Sequence, residues 1–239
     1  MITLTTVYAT DEDLALRASA DYALLCPKDQ KSAAGTDGAF NSVDPWSLIS
    51  PSVNFGAQGV SAGQIAVLTK PTTNFKPPGE ALVVSSVNPG SITLRRKGQA
   101  PGVGQPPGAP GGLLGIEFAI LTLGPQIQLA CYDLNRQFGI DDLVAGRRSV
   151  DLYDPREIQQ ATVLTVLYRQ YLDMSRESGD QADVFASKAK RVKAELDDVL
   201  GRAVVRWGPP NSASGNAQAN LPYWNIVPPT SRFCTRLTR

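Results

Sequence analysis

No histidine occurs among the 239 residues, and that absence removes more chemistry than any motif present supplies. Ser-His-Asp and Cys-His nucleophile systems need an imidazole that titrates near neutrality, as do histidine general bases and most transition-metal ligand sets. Carboxylate, lysine and metal-carboxylate enzymes are what remain. Cysteine is scarce: Cys26, Cys131 and Cys234 stand about a hundred residues apart with no CxxC pair. Neither a zinc site nor a disulfide scaffold is expected, and buried free thiols in a reducing compartment are. No apolar run approaches membrane-spanning length, and the opening MITLTTVYATDEDL carries acids where a secretory signal carries bases. A soluble, intracellular chain without membrane contact is the expectation.

What is there suffices for a core: 42% of residues are hydrophobic, enough for one large domain or two small ones without metals or cross-links. The net charge of +1 hides an uneven spread. Bases and acids number 3 and 7 in residues 1–50, 5 and 1 in 51–115, 3 and 6 in 116–154, 9 and 8 in 155–207, and 3 and 0 in 208–239. Segments of opposite sign can complement each other within the fold or between copies in an assembly.

Thr10 and Asp13 form a weak capping box ahead of an amphipathic pattern that predicts one helix from about residue 9 to Pro27. Its acidic first turn, Asp11, Glu12 and Asp13, offers a cation site, but acids suit a helix N-terminus for dipole reasons alone. Loops and short strands follow over 33–63. QIAVL (64–68), EALVVSSV (80–87), SITLRRK (91–97) and IEFAILTL (116–123) predict strands, with a hairpin over 81–97 turning in type II fashion on Pro89-Gly90. APGVGQPPGAPGGLLG (100–115), ten of whose sixteen residues are Gly or Pro, has neither the Lys-Ser/Thr of a phosphate loop nor dinucleotide spacing. Its four prolines also withhold amide donors, so it predicts an extended, mobile excursion. Arg95, Arg96 and Lys97 just before it are candidate contacts to DNA or to a neighbouring subunit, or a solvated strand end.

The second half is helical. Pro125 starts a helix carrying Ile127, Cys131, Leu134 and Phe138, and Gly139 stops it. Asp141, Asp142, Asp151 and Asp154 lie in the next loop, as metal or acid-base candidates or as ordinary turn and cap residues. Asp154-Pro155-Arg156-Glu157 opens a long helix to Ser178, and a second runs from about Asp180 to Trp207, forming an antiparallel helical hairpin. Residues 208–239 lack periodicity but keep the aromatic anchors Tyr223, Trp224 and Phe233 and the bases Arg232, Arg236 and Arg239. Such a segment docks on something, or forms a core strand of its own fold.

The fold expected is α+β: a mainly helical bundle (1–45 and 124–207) with a small inserted antiparallel β subdomain (46–123) and an extended C-terminal arm (208–239). DLYDPREIQQATVLTVLYRQYLDMSRESGDQADVFASKAKRVKAELDDVL (151–200), with PQIQLACYDLNRQFGID before it and the opening helix, resembles the core of head-to-tail connector proteins of tailed bacteriophages. The resemblance covers about 125–207 and 9–31 and rests on helix order and pattern. It implies a ring, commonly twelvefold, beneath the portal, joining it to neck or tail proteins, with genomic DNA passing through without sequence-specific binding. The arm, with Tyr223, Trp224, Arg232, Phe233, Arg236 and Arg239, would reach the portal. The location implied is the virion neck, after assembly in the cytoplasm of the bacterial host. No catalytic, cofactor-binding or metal-binding residue is assigned. The rival classes are a metal-carboxylate hydrolase on the four aspartates and a nucleic-acid-binding protein on the arginines and Lys97.

Overall fold

A computed structural model describes residues 6–40, 43–107, 112–177, 179–203 and 205–208. Six antiparallel strands, β1 (Lys31–Phe40), β2 (Ser47–Ile49), β3 (Ile65–Lys70), β4 (Glu80–Asn88), β5 (Ser91–Arg95) and β6 (Leu113–Leu121), close into a barrel in the order β1-β2-β5-β4-β3-β6. The helices are α1 (Asp11–Arg17), α2 (Tyr22–Leu25), α3 (Gly124–Phe138), α4 (Arg156–Glu177) and α5 (Ala182–Arg202). No helix among the described residues is long and apolar enough to cross a membrane.

The closed barrel overturns the expected architecture of a mainly helical bundle with a small β insertion. Its first strand comes from residues 31–40, which the sequence assigns to the helical part. KSAAGTDGAF has a single β-branched residue, Thr36, and so lacks a strand signature. Packing requires its small residues. Gly35 lies opposite Phe118 in the β1–β6 register. A Cβ on Gly35 would stand 2.8 Å from the Phe118 ring, and one on Gly38 2.9 Å from the Ile116 carbonyl oxygen. The ring therefore covers the two glycines and packs inside the barrel, its centroid 5.7 Å from that of Phe55.

Two hydrophobic cores share one sheet. Ala66, Leu68, Leu82, Val84, Phe118 and Ile120 fill the barrel interior, while the alternating Ile65, Val67, Val83 and Leu121 join the helical core. Within QIAVL, residues 65–68 are an unbroken apolar run because both faces of the strand are covered. In the helical half, residues 161–167 of α4 are buried without interruption because α3, α5, α1 and α2 all pack on it. Amphipathic α5 lays Phe185, Ala189, Val192, Leu196 and Val199 into that core, with the Phe185 ring stacked 6.2 Å from Tyr171.

Three local expectations need correction. The single helix predicted from residue 9 to Pro27 breaks at Ala18, because Lys97 reaches across to the Ala15 carbonyl and Ser19 hydroxyl while Tyr22 turns inward onto Asp11. The β4–β5 hairpin forms with Asn88 opposite Ser91, but Gly90 does not take the positive φ of a type II turn. Finally, α5 ends at Arg202, and Trp207 instead pairs with Leu152 in an isolated antiparallel bridge.

Candidate functional site

A group of charged side chains joins α1 to the barrel. Thr10 and Asp13 cap the helix reciprocally, Asp13 accepting the Thr10 amide at 2.8 Å while its own amide donates to the Thr10 hydroxyl. Glu12 accepts both terminal nitrogens of Arg95, at 2.6 and 2.5 Å, and the Gly98 amide at 2.7 Å. Those bonds from Arg95 hold its carboxyl below the usual glutamate range, and Glu12 in turn raises the Arg95 guanidinium. Asp11 is buried and accepts the Tyr22 hydroxyl at 2.8 Å, the Thr122 hydroxyl at 2.7 Å and the Leu123 amide at 2.7 Å. Burial pushes its carboxyl up, against those three bonds. The acids offered as a cation site therefore serve three separate purposes.

Arg95, Arg96 and Lys97, the candidate DNA or subunit contacts, are brought together on partners within the chain. Arg96 pairs with Glu80 and donates to the Gln105 carbonyl at 2.7 Å. Lys97 donates to Ser19 at 2.5 Å and to the Ala15 carbonyl at 3.3 Å, and burial lowers its pKa. Arg95 thus complements Glu12 of the acidic beginning inside the same fold, while the basic end of the chain lies outside the described residues.

The four aspartates of the next loop do turn and cap work. Asp141 accepts the Leu143 amide at 2.9 Å, and Asp154 accepts the Arg156 amide at 3.0 Å. Asp142 accepts the Ser149 amide at 2.8 Å, the Ser149 hydroxyl at 2.6 Å and the Thr6 hydroxyl at 3.4 Å. Burial raises the Asp142 carboxyl, but those bonds together hold it below the ordinary value. Asp151, with its side chain 1% exposed, accepts from Arg148 Nε at 3.0 Å and the Gly146 amide at 3.1 Å, and the Arg148 bond depresses it. Among the described residues no three His, Cys, Asp or Glu side chains gather as a metal site. Cys26 and Cys131 are buried thiols, Cys26 pushed up to about 11 by that burial.

The sequence reading attended to the acids of this loop and missed its aliphatic residues. Leu143, Val144 and Val150 are 80%, 45% and 69% exposed, on a loop tied by Asp142, Asp151 and the bond from the Asp141 amide to the Arg147 carbonyl. Their signal was aliphatic side chains in GIDDLVAGRRSV with no periodic partners. The last described residues are bonded to this loop: the Gly208 amide donates to the Asp151 carbonyl at 2.8 Å, and the Tyr153 amide to the Arg206 carbonyl at 2.9 Å. Tyr223, Trp224, Arg232, Phe233, Arg236 and Arg239, and Cys234 with them, lie outside the described residues. No protein-family model, curated protein or solved structure matches the chain.

Proposed function

We propose that this chain is a structural virion protein, a head-to-tail connector that forms a ring beneath the portal of a tailed bacteriophage and links it to neck or tail proteins. Genomic DNA passes through the ring without sequence-specific contact. One observation carries the reading: a hydrogen-bonded loop that exposes Leu143, Val144 and Val150 and is bonded to Gly208, the last described residue before a basic, aromatic-bearing stretch of sequence. Three exposed aliphatic side chains on one well-tied loop suit a surface covered in an assembly. Among the described residues, the four aspartates and Arg95, Arg96 and Lys97 are engaged in capping and docking within the chain, which counts against their use in catalysis or nucleic-acid binding.

The test is capture of the full-length chain, and of a full-length Tyr223→Ala, Trp224→Ala, Arg236→Ala variant, by candidate portal assemblies, with mass photometry on the complexes. Many copies of the natural chain per portal, and few of the variant, are expected. Failure of the natural chain to bind the cognate portal overturns the reading.

A further inference from the structure

We infer that residues 221–227 of the same chain, LPYWNIV, dock on the 139–153 loop and cover Leu143, Val144 and Val150. The loop is built to hold one shape. Ile140 is buried beneath it, Asp142 clamps Ser149, and Arg148 is locked on Asp151. It nevertheless exposes Leu143, Val144 and Val150 beside the charged Asp141 and Arg147, and in water such aliphatic surface gains from a cover.

Position and distance select the occupant. The chain is hydrogen-bonded to this loop up to Gly208, and LPYWNIV begins thirteen residues later. That spacer, GPPNSASGNAQAN through Asn220, spans at most about 45 Å and lacks large apolar residues that would compete for the contact. A tether of this length gives the segment an effective concentration on the order of millimolar at the loop, which a second copy or an external protein at micromolar concentration does not match. Charge agrees. The loop, residues 139–154, carries four aspartates and two arginines, and residues 208–239 carry three arginines and no acid.

The inference concerns the isolated chain and is tested without a portal: its failure leaves the connector reading standing, whereas its success means that the segment must leave the loop before Tyr223 and Trp224 can meet a portal. Amide hydrogen exchange is followed by mass spectrometry in the full-length chain, at two protein concentrations about a hundredfold apart, and in two full-length variants. The expected result is protection over 221–227 that persists on dilution. In Leu143→Asp, Val150→Asp that exchange should rise at least about tenfold, with exchange in the barrel strands unchanged as a control for folding. In Tyr223→Ser, Trp224→Ser, whose substitutions lie outside the described fold, exchange over 139–153 should rise. Protection that disappears on dilution overturns the inference in favour of a second copy. Unprotected 221–227, or protection indifferent to both variants, overturns it altogether.

Discussion

Two adjacent carboxylates on α1 respond to acid in opposite directions. Glu12 has a folded pKa below its ordinary 4.5 because of Arg95. Its contribution is therefore complete at neutral pH and is lost as pH falls below about 4.5 toward the depressed value. Glu12→Gln is expected to cost about 1–3 kcal/mol in urea unfolding at pH 7, since it weakens three charge-assisted bonds at a part-buried site. The gap to the natural chain should narrow as the same titration is repeated toward pH 3. Asp11 is raised by burial, so its ionisation opposes folding, and stability is recovered as pH falls through the raised value. Asp11→Ala should cost about 2–4 kcal/mol by stranding the Tyr22 hydroxyl and Leu123 amide, whereas Asp11→Asn keeps an acceptor for both and should lose far less. Equal losses in the two variants would show that these donors find other partners.

At the scale of elements, helices were legible and the barrel was not, for reasons visible in particular residues. Ile127, Cys131 and Leu134 recur at helical spacing and are buried, and Gly139 stops α3 at φ 68°. β4 and β5 announced themselves through β-branched residues and a Pro-Gly turn. β1 could not, because its strand character is conferred by Phe118 on β6, beyond the reach of any local pattern. The glycines there should accordingly be intolerant. Gly35→Ala is expected to lower stability by about 1–3 kcal/mol, since the added carbon displaces a packed ring. Gly90→Ala, with nothing within 4 Å and no positive φ, should stay within about 0.5 kcal/mol in the same thermal melts. The candidate site was legible only as polar residues: the sequence located the bases and the aspartates, but their partners can lie far along the chain, 83 positions away for Arg95 and Glu12 and 136 for Asp142 and Thr6.

Across the whole molecule, β3 and β6 supply side chains to both cores, so barrel and helices have no separable boundary. Unfolding followed by helical circular dichroism and by tryptophan fluorescence should give coincident midpoints, and two separated transitions would contradict a shared core. The pairing of β1 with β6 has a further outcome on the ribosome. Lys31 pairs with Leu121, about ninety residues later, and synthesis at roughly 5–20 residues per second leaves the first strand waiting on the order of 5–20 seconds for its partner. Through that interval the β6-facing edge of β1 is unpaired, and its residues are mostly glycine, alanine and small polar side chains, with Lys31 and Asp37 charged, a composition with little appetite for strangers. The scarcity of β-branched residues that hid the strand from sequence reading also guards the nascent chain against aggregation before the barrel can close.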